Sequence, residues 1–295
     1  MKVHLFIVDP QNDFCVPDDG RGNRGSLVVP GALDDMRRLA GLVRRVGSRL
    51  DDITVTLDSH QGLGIERPRW WKRVGDGAEP APFTVLGIHP DGRRIVKYVP
   101  GKAGLEPTDE AYTTFLPAYL HQGGATGKGA FGYLEALARA GRYPHVIWPV
   151  HCRVGSWGFG VVPVLDEALY AWEIEQYARV NYVAKGNNPD TEHFSGVRAE
   201  VPDPRDPATQ VNTRLIQALE EADVIALAGE ALSHCVANTG RDIADCFADP
   251  RYVEKMVLLT DATSNVGGFE ALGAGFQKEL QARGMKTATC ADFLA

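Results

Sequence analysis

The chain contains no uninterrupted apolar run approaching the roughly 20 residues that a membrane-spanning helix requires, which argues against a transmembrane protein. Its N-terminal stretch, Met1-Lys2-Val3-His4-Leu5-Phe6-Ile7-Val8-Asp9, is apolar for too few residues to be a signal peptide and reads as a strand. Positive charge is not in excess: 31 Lys and Arg stand against 38 Asp and Glu, a net of −7. Binding to nucleic acid through bulk basic surface is thereby disfavoured, because displacing counterions from phosphate needs that surface. Cysteine is scarce, and the five present (Cys15, Cys152, Cys235, Cys246, Cys290) are an odd number without repeating spacing. That argues against a disulfide framework and suits a reducing cytoplasm. No internal repeat and no Pro-, Gly- or Ser-rich linker divides the chain.

What is present is ordinary globular material. The 295 residues are 44% hydrophobic, enough to bury a core within one domain spanning 1–295. Val3–Val8 is a continuous apolar run, the mark of a strand buried on both faces of a parallel sheet. Further strands are expected at 53–57, 145–150, 180–184, 224–228 and 256–259. Helical periodicity falls at about 32–49, with Leu33, Met36, Leu39 and Val43 on one face, and again at 164–176, 209–221, 234–247 and 269–283. The alternation predicts an α/β fold, a mostly parallel sheet with helices on both faces.

The stretch from 61 to 144 breaks this rhythm. It holds the aromatic-basic cluster Arg67-Pro-Arg-Trp-Trp-Lys-Arg73 and a hairpin whose arms, 84–88 and 95–99, flank the turn His89-Pro-Asp-Gly92. A glycine-rich loop at 123–129 and a helical stretch near 133–140 follow. Two readings stand for this excursion: an elaborated surface, or a lid or oligomer contact beside a site.

Two motifs carry no weight. Gly20-Arg-Gly22-Asn-Arg-Gly25 spells G-x-G-x-x-G, but Ser26-Leu-Val-Val-Pro30 follows where a helix should begin, so no helix N-terminus is there for a pyrophosphate. Gly127-Lys128 hints at a phosphate loop, yet Gly129 occupies the Ser or Thr position.

The chemistry-bearing residues fall at or beside the ends of expected strands, where open α/β sheets place their sites. Asp9 closes the first strand, as a loop-start cap or as a carboxylate buried enough to move a proton. Lys185 follows the strand at 180–184 and is a solvated lysine unless something gathers it inward. Cys235, in Ser233-His-Cys-Val236, follows the strand at 224–228 at the expected start of a helix. Backbone N–H groups and the helix dipole there favour the thiolate and suit an oxyanion; the alternative is an inert packed cysteine. Asp58, His60 and His151 have metal-ligand character, since a carboxylate and two imidazoles suit Zn²⁺ or a similar divalent ion.

Taken in order, Val8-Asp9-Pro-Gln-Asn-Asp-Phe14, Gly25-Ser-Leu27, Pro30-Gly-Ala32, Asp58-x-His60, Trp148-Pro-x-His-Cys152, Lys185-Gly186 and Ser233-His-Cys-Val236 with Thr239 resemble the nicotinamidase branch of the isochorismatase-like cysteine hydrolases. The resemblance covers the chain outside 61–144. It implies a Rossmann-like three-layer fold and a catalytic triad of Asp9, Lys185 and Cys235. It also implies an oxyanion hole from the N–H groups of Ala231 and Cys235, with a cis peptide between Glu230 and Ala231. The implied metal set is Asp58, His60 and His151, most simply holding Zn²⁺, with Phe14 and Trp148 as aromatic pocket walls. The implied activity is hydrolysis of a small carboxamide, nicotinamide first, to acid and ammonia through a thioester. Oligomers are common in that family. Two departures matter. Many members carry another histidine shortly after D-x-H where Glu66 stands here, as a fourth ligand or as a loop glutamate. The 61–144 excursion is also unusually long, which leaves room for a different or larger amide. The rivals are a hydrolase using metal-activated water and a ligand-binding protein that keeps the fold without catalysis.

Overall fold

Six apolar residues in a row leave Val3–Val8 (β1) no polar face to turn toward water, and the strand lies buried at every position in the middle of a sheet. The computed structural model describes residues 1–295 apart from Asp19, Arg21 and Ala103, so Arg21 of the discarded G-x-G-x-x-G motif lies outside the described residues. After β1 come a short helix Asn12–Cys15 (α1), helix Ala32–Val46 (α2) and strand Asp52–Asp58 (β2). The α2 boundary has a local cause. Asp34 and Asp35 sit in its first turn and Arg44 and Arg45 in its last, each sign matched to the helix dipole.

The excursion forms a second, antiparallel sheet. Its strands are Trp71–Arg73 (β3), Val85–Ile88 (β4), Ile95–Gly101 (β5), Gly104–Thr114 (β6) and His145–Val146 (β7), in the order β3-β6-β5-β4-β7. Helix Gly129–Ala140 (α3) precedes β7. Trp71, Leu86, Ile95, Tyr133, Leu134, Leu137 and Ile147 form an apolar cluster of their own. One expectation is corrected here. The strand placed at 145–150 is a two-residue β7 that joins the antiparallel sheet, and 147–150 is irregular. Its apolar run is buried between the two sheets' cores rather than within the parallel ladder.

The remaining elements alternate as expected: helix Pro163–Gln176 (α4), strand Asn181–Lys185 (β8), helix Thr213–Glu220 (α5), strand Val224–Gly229 (β9), helix Ala237–Cys246 (α6), strand Met256–Leu259 (β10), helix Glu270–Ala282 (α7) and strand Lys286–Ala288 (β11). The last strand was not anticipated, being three half-polar residues at the sheet edge. The first sheet runs β11-β10-β9-β1-β2-β8, with every pairing parallel. Helices flank it, α2 packing on α4 and α6 on α7. Strand order reverses at β1, between β2 on one side and β9 on the other. That opens a crevice at the C-terminal ends of β1, β2, β8 and β9, the position where such sheets bind ligands.

Candidate active site

Asp9, Asp58 and Lys185 are the residues that end or directly follow β1, β2 and β8, so parallel register alone carries them to one edge of the crevice. Asp9 has a left-handed backbone, φ +43°, and is fully buried. Thr56 holds it: the Asp9 N–H donates to Thr56 Oγ1 at 3.0 Å, and the hydroxyl donates to Asp9 Oδ1 at 2.6 Å. The other oxygen, Oδ2, faces Lys185 Nζ at 2.8 Å. Lys185 Nζ also donates to Asp58 Oδ1 at 2.9 Å and to the His193 carbonyl at 3.1 Å, and lies 3.7 Å from Cys235 Sγ. The Asp9 charge opposes ionisation of the same thiol. A lysine that sequence alone leaves in solvent is thus buried among two carboxylates and a thiol.

Burial sets the protonation states. It lifts Asp9 above the usual carboxylate range, against the pull of Lys185. It opposes the charge on Lys185, but Asp58, Asp9 and Cys235 outweigh it and hold the ammonium well above the ordinary lysine value. It pushes the Cys235 thiol well up, with Lys185 opposing. The expectation that a helix start favours the thiolate is therefore reversed in the resting protein. Cys235 sits in a π-helical stretch, Leu232–Val236, ahead of α6 rather than at a regular helix N-terminus, and desolvation exceeds the help of Lys185. A thiol of this kind needs a base, and Asp9 and Cys235 meet at the same Lys185 ammonium.

The turn before the thiol is unusual. The Glu230–Ala231 peptide is cis, and Val236 N–H donates to the Ala231 carbonyl at 3.1 Å. Ala231 and Cys235 both line a narrow pocket, about 30 Å³, whose walls include Phe14, Trp148, Phe194 and His234. Phe14 and Trp148 are nearly fully buried. The pocket is a ring of aromatic edges: Trp148 meets His234 at 5.2 Å and Phe194 at 6.2 Å between centroids, each near perpendicular. Trp148 Nε1 and His234 Nε2 are buried without a partner among the described residues.

Beside this pocket, Asp58, His60 and His151 bring one ligand atom each within 4.8 Å of one another. Asp58 Oδ2 stands 2.7 Å from His60 Nε2 and 3.2 Å from His151 Nε2. Burial resists ionisation of Asp58, but His60, Lys185 and the hydrogen bond from His151 outweigh it and hold the carboxyl well below its usual range. Burial lowers both imidazoles, His151 to about 4 with Arg67 adding to the effect, and a cation would replace the hydrogen that each Nε2 shares with Asp58 Oδ2. One anionic oxygen and two neutral ring nitrogens converging on one point fit a Zn²⁺-type cation. Gly186, φ +81°, makes room: a Cβ there would sit 2.9 Å from His60 Cε1 and 3.1 Å from Asp58 Oδ1.

Glu66 does not join the three. Its Oε1 lies 3.4 Å from His60 Nδ1, the ring nitrogen that faces away from Asp58, and 3.0 Å from Arg67 Nε. Arg67 is itself fully buried, with Nη1 2.7 Å from the Pro149 carbonyl and 2.8 Å from His151 Nδ1. Glu66 and Arg67 thus stand behind the two imidazoles, one on each.

Sequence reasoning missed several contributors. Gln11 clamps β2's end, its Nε2 donating to the Asp58 carbonyl at 2.8 Å while its Oε1 accepts from Asp58 N–H at 2.7 Å. Asp13 Oδ2 accepts from Cys152 N–H at 2.6 Å and so tethers the His151 segment. Both lie within the Asp9-to-Phe14 segment, where residue type and spacing alone do not distinguish a clamping side chain from a loop one. Glu192 and Phe194 line the pocket from a segment without helical or strand periodicity, so nothing in the pattern marked them.

No protein-family model matches the chain, and no curated protein matches it. Solved structures do. The yeast nicotinamidase Pnc1p is 18% identical with a TM-score of 0.59, over 97% of this chain and 99% of that one. The fold is the isochorismatase-like one. An Acinetobacter baumanii nicotinamidase/pyrazinamidase is 16% identical with a TM-score of 0.58, covering 99% of this chain and 98% of its own. A Pyrococcus horikoshii pyrazinamidase, solved in complex with zinc, is 16% identical with a TM-score of 0.52, over 98% and 99% of the two chains. The yeast protein has also been solved with the inhibitor nicotinaldehyde.

Proposed function

We propose that the protein is a cysteine amidohydrolase that converts a small, flat carboxamide, nicotinamide first, to the acid and ammonia. The observation that carries this is Lys185 Nζ in contact with Asp9, Asp58 and Cys235 at once, beside a pocket of aromatic edges. Asp9 accepts the Cys235 S–H proton, and the sulfur attacks the amide carbon. The carbonyl electrons move to oxygen, which faces the N–H groups of Ala231 and Cys235. Collapse breaks the C–N bond, and Asp9 returns its proton to the leaving ammonia. A water then gives its proton to Asp9 and adds to the thioester. Release of the acid restores the thiol. Lys185 remains charged throughout and holds the Asp9 carboxylate in place.

Asp58, His60 and His151 would hold a divalent cation, most simply Zn²⁺, which when bound supplies a Lewis-acidic anchor for a ring nitrogen. The zinc-bound pyrazinamidase and the nicotinaldehyde-bound nicotinamidase of the same fold support this reading. The excursion serves as cover: Phe83 stands edge-on to Trp148 at 5.8 Å, and Tyr143 donates to the Ser233 carbonyl at 2.7 Å. All five cysteines are free, which suits a reducing cytoplasm.

Ammonia release from nicotinamide tests the proposal. Cys235→Ala is expected to lower turnover on the order of 10³-fold or more while leaving the metal content intact. Full activity in that variant, with loss only on removing Asp58 or His60, would instead assign the chemistry to metal-activated water.

A further inference from the structure

The larger void in the molecule is not at Cys235. A cavity of about 470 Å³ opens at the opposite end of the parallel sheet, against about 30 Å³ for the aromatic pocket. Its lining includes His4 of β1, Thr54 of β2, Asn181 of β8 and Arg214 of α5, with Arg179 just ahead of β8. Register explains the grouping, because His4 pairs with Asp52, and Thr54 with Asn181, in the N-terminal halves of their strands. From His4 to Asp9 the separation is roughly 16 Å at strand rise, so this cavity is separate from the candidate active site.

We propose that this cavity binds a small molecule bearing an oxyanion, a carboxylate or a phosphate, between Arg179 and Arg214. Neither guanidinium makes a hydrogen bond or ion pair with any described residue. A third donor lies buried in the lining. Asn181 Nδ2 and His4 Nε2 both meet the Thr54 hydroxyl, at 3.2 Å and 2.8 Å. His4 Nδ1 has no partner among the described residues, although the residue is only 2% exposed. A buried polar atom left unpaired costs about 1–3 kcal/mol. In the tautomer in which the Thr54 hydroxyl donates to Nε2, Nδ1 carries the ring N–H, and an oxyanion would accept from it. Asp52 is the single acid in the lining, and Lys2 Nζ neutralises it at 3.2 Å. Arg214 stands in the first turn of α5, whose N-terminal N–H groups add to the positive potential. Two guanidiniums and a neutral imidazole donor match the planar oxygens of a carboxylate or the oxygens of a phosphate. The cavity volume suits a ligand of metabolite size.

Calorimetric titration of the full chain with sodium phosphate and with sodium malonate, against sodium chloride at equal ionic strength, tests the site. Saturable binding of at least one oxyanion is expected, with chloride inert. The preferred probe then separates a phosphate ligand from a carboxylate one. The double variant R179Q/R214Q, altered only at exposed side chains, should bind at least tenfold more weakly. The His4 Nδ1 proton resonance should move on saturation in the unaltered protein. No saturable binding of either probe, an equal response in the double variant, or a His4 resonance that stays put would each overturn the proposal. The test reads binding alone and stands whether or not Cys235 hydrolyses amides.

Discussion

Lys185 and Asp58 are joined by a 2.9 Å bond from Nζ to Oδ1, and through it the thiol-bearing cluster and the metal-donor cluster become one buried network. Asp58 has two oxygens and two duties: Oδ1 accepts from Lys185 while Oδ2 faces His60 and His151. Charge placed at either cluster is felt at the other, because little water lies between them to screen it.

Lys185→Met should therefore destabilise the protein strongly. The variant leaves Asp9 and Asp58 buried without their cation, a loss of about 3–5 kcal/mol for a broken buried pair. Urea unfolding at neutral pH would show the midpoint falling. Part of the loss should return on acidification, because Asp9, already lifted by burial, takes up a proton readily. A midpoint unchanged at neutral pH would contradict the network.

Glu66→Gln should weaken divalent-metal binding by about 10–100-fold, the cost of losing a partner that orients a ligating imidazole. His60→Ala, which removes one of the converging nitrogens itself, should cost more. Competition for Zn²⁺ or Co²⁺ against a chelator measures both. Equal losses in the two variants would make Glu66 a direct ligand after all.

Glu192→Gln predicts a pH-dependent gain in the metal-free protein. Burial, then Glu66 and Asp58, push the Glu192 carboxyl up to about 8, from an ordinary value of 4.5. The folded state thus holds a proton that the unfolded state gives up, and stability falls as pH rises from about 4.5 to about 8. The neutral amide escapes that loss. The variant should match the parent near pH 4.5 and exceed it near pH 8, with the difference on the order of a few kcal/mol. Denaturant midpoints at the two pH values decide it; a constant difference would show that Glu192 is ionised throughout.

Gly186→Ala should harm both fold and metal site. The position has φ +81°, and its new methyl would lie 2.9 Å from His60 Cε1. Thermal unfolding should show a loss of more than about 1 kcal/mol, and the chelator competition should show weaker metal retention. A variant that keeps both properties would mean that His60 can shift without consequence.

Much of this protein is legible in one dimension. Val3–Val8, the hairpin around His89-Pro-Asp-Gly92 and the helices α2, α4 and α7 follow from apolar period, turn chemistry and charge at helix ends. The strand-end positions of Asp9, Asp58 and Lys185 follow too, because parallel strands place their C-terminal residues along one edge. The stretch 145–150 is not legible in this way, because an apolar run says that a segment is buried, not which sheet it joins.

The sequence by itself determined which residues could do chemistry and the order in which the chain presents them. Only the tertiary structure decided their states. Burial turned Lys185 from a solvent-facing strand end into the cation of a carboxylate pair, kept Cys235 a thiol in need of a base, and set Glu66 behind His60 rather than beside it. Desolvation and neighbouring charge act across hundreds of residues of chain separation, and no local pattern records them.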